Sequence, residues 1–240
     1  MEPATFLSYR RGGFLRGFAL SASLLSILIG CSASVPASTE STSGFIIQQN
    51  ADALVERAAE YGLQGNLKGA IALLNEALRI NPRLARAWAA RATAFRKLGD
   101  FQRAIQDATR AIEINPKFAE AYCQRAFAYK QSDLDKRVEH SFADANKAIE
   151  LDPNYPLSYI IRGNALFESK EYSRAVADFT KAIELNPRSY SAYAGRALAY
   201  SVLGDGRKAR EDIMKALSLN PPKADEASLQ ALRKTIEEHP

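Results

Sequence analysis

Apolar residues recur at helical spacing through most of the chain, and an Asn-Pro or Asp-Pro pair ends the pattern at regular intervals. The prolines of these pairs are separated by 34, 37, 34 and 34 residues, and they are Pro82, Pro116, Pro153, Pro187 and Pro221. Each interval holds two apolar helical patterns. The spacing therefore predicts an array of helix-turn-helix repeats.

Small residues and large residues each recur at fixed positions of the repeats. When the proline is counted as position 32, position 8 is Ala in four repeats and Gly163 in the fourth, and position 27 is Ala throughout. Position 4 is aromatic in four repeats and Leu54 in the first, and position 11 is aromatic in four and Leu166 in the fourth. Small residues let two helices approach closely, and the large ones fill the space between them.

The period and these positions resemble the tetratricopeptide repeat (TPR) family. The resemblance implies an all-α fold, a right-handed superhelix with five repeats in residues 45–222. The repeats are 51–84, 85–118, 119–155, 156–189 and 190–222. Leu229, Leu232 and Ile236 share one helical face in residues 223–240, which are predicted to form a C-terminal capping helix because a solenoid needs a polar-faced end.

Opposite charges also recur within the repeats. Position 7 is Arg in every repeat, and position 23 is Asp in four, with Leu73 as the exception. Such a pattern predicts structural ion pairs, either within a repeat or between neighbours. The residues assigned to them are Arg91, Arg125, Arg162, Arg196, Asp107, Asp144, Asp178 and Asp212.

The third repeat is longer than the others. Twelve residues separate Tyr129 from Ser141, where nine separate Phe95 from Ala104. A segment rich in charged residues, 132–140, replaces the usual glycine turn. Insertions of this kind map to one edge of a solenoid, where they form either a tolerated longer turn or a binding surface.

The resemblance implies that function lies in a concave groove lined by the first helix of each repeat. This groove is basic in the second repeat and apolar in the fourth and fifth, so its partner is expected to be a peptide with an acidic and an apolar part. The candidates are Arg86, Thr93, Arg96, Lys97, Glu120, Phe127, Lys130, Ile160, Asn164, Phe167 and Leu198. The alternative for the apolar patch is burial by superhelix packing.

Chaperone-binding members of the family hold a carboxylate with Lys, Asn and Arg at fixed groove positions. This chain has Val55, Ala59, Ala90, Glu120 and Gln124 at the corresponding positions. The sequence therefore disfavours a cytosolic chaperone adaptor.

The first thirty residues have the pattern of a secretory leader. Arg10, Arg11 and Arg16 precede an apolar run at 18–29, which is too short for a typical membrane span. The run ends in Gly30-Cys31 and resembles a bacterial lipobox, which implies cleavage before Cys31 and acylation of its thiol. An ordinary cleavable signal and an uncleaved anchor are the alternatives. Residues 31–44 are mostly small and polar, and they are predicted to be a flexible tether.

Removal of residues 1–30 lowers the net charge of the protein. The net charge of the whole chain is +5, and the remainder has 29 basic and 26 acidic residues, a net charge of +3. A modest excess of this size gives little support to nucleic-acid binding.

No catalytic or cofactor motif is present in the sequence. It contains no glycine-rich phosphate loop, no Gly-x-Ser-x-Gly and no His-Glu-x-x-His. Two histidines and two cysteines also leave few nitrogen and sulfur ligands for a metal site. We therefore expect no enzyme activity, no cofactor, no metal and no small-molecule substrate.

Together these patterns predict a membrane-anchored interaction scaffold or adaptor of the bacterial cell envelope, with a protein or peptide partner. In a Gram-negative cell it would lie on the periplasmic face of the outer membrane. The alternative is a self-associating structural or assembly factor in envelope biogenesis, similar to pilotins or to the TPR lipoprotein of the barrel-assembly machine.

Substitution of the lipobox cysteine tests the anchor. We expect Cys31→Ala to leave the precursor uncleaved and without lipid, because the thiol is the acylation site. Mass spectrometry of the membrane fraction measures both properties. Cleavage at another site without lipid in the wild-type protein would contradict the prediction.

Overall fold

The computed structural model describes residues 37–238, and all regular structure in this range is helical. The chain divides into two compact units, 1–40 and 41–240, and the described part of the first is only the start of α1. The helices are α1 (Ala37–Leu63), α2 (Leu67–Ile80), α3 (Ala85–Lys97), α4 (Phe101–Ile114), α5 (Ala119–Gln131), α6 (Arg137–Leu151), α7 (Pro156–Glu168), α8 (Tyr172–Leu185), α9 (Tyr190–Val202), α10 (Gly206–Ser218) and α11 (Lys223–Glu238).

The connections between repeats explain the Asn-Pro and Asp-Pro pairs. The Asn or Asp side chain accepts a hydrogen bond from the backbone N–H two residues later, at 3.0–3.1 Å. This closes a turn that proline, with its fixed φ and missing N–H, favours over a continued helix. The residues are Asn81, Asn115, Asp152 and Asn186.

The turns within four of the repeats share one backbone conformation at position 15. Gly65, Gly99 and Gly204 have φ of 78–80°, a conformation that costs glycine little. Lys170 adopts the same conformation in the fourth repeat with φ of 64°. In the longer turn of the third repeat, Lys136 is left-handed and directly precedes α6.

Helices that follow one another pack together, and the first helices of neighbouring repeats, α3, α5, α7 and α9, also lie side by side. Alanines at the crossings are almost fully buried. Phe179 on α8 is the largest fully buried side chain of the described residues, and it packs against Gly163 and Gly195. A Cβ on Gly195 would lie 2.5 Å from the Phe179 ring, so glycine at that position makes room for the aromatic side chain.

The Arg and Asp side chains at positions 7 and 23 form a row of ion pairs in the second to fifth repeats, and we call this row the ladder. In the second to fifth repeats, each position-7 Arg binds the Asp of its own repeat through two parallel hydrogen bonds of 2.7–2.9 Å, so the pairs lie within repeats. Its Nη1 donates to a side chain at position 25 of the preceding repeat, at 2.6–3.2 Å. These acceptors are Asn75, Thr109, Asn146 and Thr180.

The ladder is mostly shielded from water. The Asp side chains are 8–10% exposed and the Arg side chains 17–24%. The hydrogen bonds to Asp178 raise the pKa of Arg162 above its ordinary value, despite partial desolvation. Each guanidinium also lies 4.7–5.7 Å from the centroid of the aromatic ring at position 4 of its repeat.

The structure differs from the sequence-based expectation at the tether. Residues 37–44 belong to α1, although we expected them within the flexible segment 31–44. No proline follows Pro36 until Pro82, and Ala, Ser, Thr and Glu are all compatible with a first helical turn. The predicted leader 1–30 and the remainder of the tether lie outside the described residues.

The ladder predicts a large effect from the loss of one partner. We expect Asp178→Ala to lower the melting temperature by about 5–10 °C, because it leaves the Arg162 charge half-buried without its carboxylate. The double variant Asp178→Ala/Arg162→Met should recover part of that loss. Thermal unfolding followed by circular dichroism measures both.

The matched control is Glu211→Ala, which breaks an exposed pair with Arg207. Its effect should be within about 2 °C, because an exposed pair contributes little. Strictly additive losses in the double variant would contradict a coupled pair.

Candidate functional site

The first helices of the third to fifth repeats form a groove together with α11. We call it the C-terminal groove, and its volume is about 570 Å³. Its walls are mainly apolar, with a few polar side chains among them. The lining residues are Phe127, Lys130, Gln131, Leu157, Ile160, Asn164, Tyr190, Ser191, Ala194, Gly195, Leu198, Asp225, Ser228, Leu229 and Leu232.

Five of the predicted groove residues line this space, namely Phe127, Lys130, Ile160, Asn164 and Leu198. Leu198 is 39% exposed and offers apolar surface to solvent. Ile160 is buried and also belongs to the core around Phe179, so its side chain serves both the packing and the groove.

A smaller groove of about 300 Å³ lies between the first and second repeats. The predicted candidates Thr93, Lys97 and Glu120 line it, together with apolar residues of α1 and α2. The Thr93 hydroxyl is already engaged, because it donates to the carbonyl of Ala89 at 3.1 Å. Desolvation raises the pKa of Glu120 above its ordinary value.

Arg96 is a half-buried cation next to the C-terminal groove. Its guanidinium carbon lies 4.2 Å from the centroid of the Phe127 ring, and its Nε donates to Gln124 Oε1 at 3.1 Å. Burial lowers the pKa of Arg96 from its ordinary value. Arg96 and Phe127 thus join the second and third repeats through one cation–π contact.

Three predicted candidates line neither groove: Arg96, which borders the C-terminal groove through its contact with Phe127, Arg86 and Phe167. Arg86 forms ion pairs with Asp52 and Glu56 of α1, so acidic neighbours from the first repeat neutralise it. Phe167 packs edge-on against Tyr172 at 5.2 Å and contacts the core of the fourth repeat. The expected basic surface of the second repeat is therefore smaller than the sequence indicated.

The role of α11 as a groove wall was not predicted from the sequence. Its residues Asp225, Ser228, Leu229 and Leu232 face the groove. The Tyr190 hydroxyl donates to Asp225 Oδ2 at 2.7 Å and links α9 to α11. Burial and the neighbouring Asp225 raise the pKa of Tyr190 to about 12. The sequence did contain one indication of this role. Leu229 and Leu232 lie on the apolar face of an amphipathic helix, and such a face must pack against another surface of the protein.

The thiol of Cys123 is enclosed in the core between α5 and its neighbours. Its exposed fraction is zero, and burial raises its pKa to about 12. The thiol is thus protonated at neutral pH, where a nucleophile would need the thiolate. Within residues 37–238, no group of three or more His, Cys, Asp and Glu side chains has the arrangement of a metal site.

Models of known protein families match the same repeats that the sequence pattern predicts. The tetratricopeptide repeat family matches residues 85–118 and 156–189, and a second description of the same repeat matches 51–84 and 190–223. These matches span more than half of the chain. The chain belongs to the tetratricopeptide repeat family. The predicted all-α TPR superhelix is thereby confirmed, and the longer third repeat is the interval between the matched units.

Solved structures with the TPR fold resemble this one. TTC0263, a thermophilic TPR protein of Thermus thermophilus, is 20% identical, with a TM-score of 0.64 over 78% of this chain and 98% of that chain. Pseudomonas aeruginosa pilF is 23% identical, with a TM-score of 0.65 over 80% and 86%. PilW is 20% identical, with a TM-score of 0.63 over 79% and 90%. At these identities the likeness shows the shared fold.

Among curated proteins, no sequence relative matches this TPR chain. None of the helices in residues 37–238 combines the length and the apolar character that crossing a bilayer requires.

The Tyr190–Asp225 hydrogen bond is expected to stabilise the packing of α11 against α9. We expect Tyr190→Phe to increase hydrogen exchange of the α11 amides about two- to tenfold, the range for loss of one partly exposed hydrogen bond. Exchange in α3 to α8 should not change. Hydrogen–deuterium exchange mass spectrometry measures both regions.

Tyr193→Phe is the matched control, because no hydrogen bond to its hydroxyl is found in the described structure. Equal effects of the two variants on α11 would show that the phenol–carboxylate contact does not hold the wall.

Proposed function

We propose that this protein is a membrane-anchored interaction scaffold or adaptor of the bacterial cell envelope. It binds a peptide or protein segment on the face formed by the first helices of its TPR repeats. The observation that carries this proposal is the C-terminal groove, which is about 570 Å³ in volume and mainly apolar, with polar side chains among its lining residues. Specific ligand sites commonly combine these features.

The family supports the binding part of the proposal. TPR proteins bind protein or peptide partners, and a solenoid offers an extended surface for that purpose. The buried, protonated Cys123 supports a binding role over nucleophilic chemistry. PilW, described as a type IV pilus biogenesis factor, shares the fold and makes envelope assembly one process in which such a scaffold would serve.

The anchor rests on the sequence before the described residues. The basic stretch, the apolar run and Gly30-Cys31 support export and acylation of the thiol. Two or more acyl chains suffice for stable membrane attachment. The protein would then lie at the cell envelope, on the periplasmic face of the outer membrane in a Gram-negative cell, with its repeats available to a partner.

Site-specific crosslinking in intact membranes tests the binding face. A photo-crosslinking amino acid replaces Leu198 in the C-terminal groove, and the same amino acid replaces Met214 on α10 as the control. Both side chains are exposed, Leu198 by 39% and Met214 by 59%, so accessibility does not favour the groove. We expect a discrete crosslinked partner with the groove variant and none with the control.

Equal crosslinking from both positions would contradict a partner site in the groove. The cells express the full chain, crosslinking precedes fractionation, and crosslinks are read in both the membrane and the soluble fractions. Recovery of the wild-type chain only in the soluble fraction would contradict the anchor while leaving the groove result interpretable.

A further inference from the structure

One cation lines the C-terminal groove and is largely withdrawn from water. Lys130 lies on α5, one turn after Phe127, and its side chain forms part of the groove wall. Within residues 37–238, its Nζ forms no ion pair and donates no hydrogen bond, and the one hydrogen bond between Lys130 and another side chain is made by its backbone carbonyl. Burial lowers the pKa of Lys130 from its ordinary value.

The charges around Lys130 do not neutralise it. Glu168 is the acidic neighbour, but its carboxylate forms an ion pair with Arg137 at 2.8 Å. Arg137 also donates to the carbonyl of Lys130 at 3.1 Å, which places a second positive charge near the first. Lys130 and Arg137 together with the one carboxylate of Glu168 therefore leave a net positive charge beside this part of the groove.

A second cation borders the same aromatic side chain. The Arg96 guanidinium stacks on the Phe127 ring, and its described hydrogen bond is the one from Nε to the neutral Gln124. Among the residues that the structure describes, no carboxylate pairs with it. Two cations without carboxylate partners thus lie near Phe127, on neighbouring first helices.

The remainder of the groove has a different character. Leu157, Ile160, Leu198, Leu229 and Leu232 provide its apolar walls. Asp225 lies on the α11 wall, where it accepts a hydrogen bond from Tyr190. An anionic group of a ligand is therefore favoured beside α5 and disfavoured beside α11.

We propose that the C-terminal groove binds a partner peptide through an Asp or Glu side chain at Lys130 and a neighbouring large apolar side chain among the leucines of α9 and α11. This inference rests on the proposed peptide-binding function and specifies the chemistry of the partner. The charge complementarity at Lys130 selects the acid, and the apolar walls select the Leu, Met or Phe beside it.

Selection from a phage-displayed library of random linear peptides tests the inference. The bait is the chain from residue 32 onward, which keeps every described residue, in its purified form. We expect the selected peptides to be enriched in an acidic residue close to a large apolar one. Sequencing of the selected pools measures the enrichment at each position.

Charge variants decide whether Lys130 is responsible. With Lys130→Glu as bait, we expect the acidic preference to disappear and basic residues to replace it, while the apolar preference remains. With Lys130→Met, which removes the charge without adding one, the acidic preference should disappear without replacement. A peptide selected by the wild-type protein should bind either variant about tenfold or more weakly.

Lys215→Glu on α10 is the matched control, because it makes the same charge change at an exposed residue outside the groove. Its selected peptides should be those of the wild type. Circular dichroism and melting temperature verify that each bait is folded.

Several outcomes would overturn the inference. Selected peptides without an acidic preference, or an unchanged preference with Lys130→Glu, would refute the role of Lys130 while leaving peptide binding intact. Failure to enrich any peptide would instead count against both this inference and the proposed function. Concentration-dependent dimerisation that Leu198→Glu abolishes would show that a second copy of this chain occupies the groove.

Discussion

The structure depends on the three-way contact that each ladder arginine makes. A solenoid has no single central core, so every repeat is held only by its neighbours and their orientation must be set at each joint. Two parallel bonds to the aspartate fix the guanidinium plane within a repeat, and the third bond fixes the preceding second helix. Apolar packing supplies most of the stability, but directional bonds determine the angle at which one repeat follows the next. The position of the first helices, and with them the groove, follows from that angle.

Much of the fold was readable from the sequence because it repeats. The Asn-Pro and Asp-Pro pairs are turns in the structure, and the paired residues at positions 7 and 23 are in contact. The third ladder contact was not predicted because its acceptor alternates between Asn and Thr, which share a side-chain oxygen but no obvious pattern. The neutralisation of Arg86 was not predicted either. Asp52 and Arg86 occupy position 2 of neighbouring repeats, one period apart, but the residue type at this position changes from repeat to repeat, so no recurring pair of charges indicated the contact. The contribution of α11 to the groove could not be read from the repeats, since that helix lies after the last of them.

The groove itself combines two surfaces with different origins. The α5 wall belongs to the repeat pattern, and Lys130 on this wall occupies the same position, 12, as Arg96 on α3. Position 12 is Gly62, Phe167 and Ser201 in the other repeats, so positive charge at this position is confined to the second and third repeats. The α11 wall stands outside the pattern, and its leucines complete the apolar part. A solenoid that ended after α10 would keep the basic wall and lose the opposite one. The terminal helix therefore shapes a binding surface as well as covering the end of the array.

The ladder also bears on how such a chain could lengthen. Repeats two, three and four each contain the arginine, the aspartate and the position-25 acceptor. The first repeat has Leu73 in place of the aspartate, and the fifth has Met214 in place of the acceptor. Duplication of an internal repeat would thus supply a complete joint on both sides, whereas a unit added after the fifth repeat would find no acceptor. A repeat duplicated within the array would therefore keep all the ladder contacts, whereas a repeat added at either end would lack some of them.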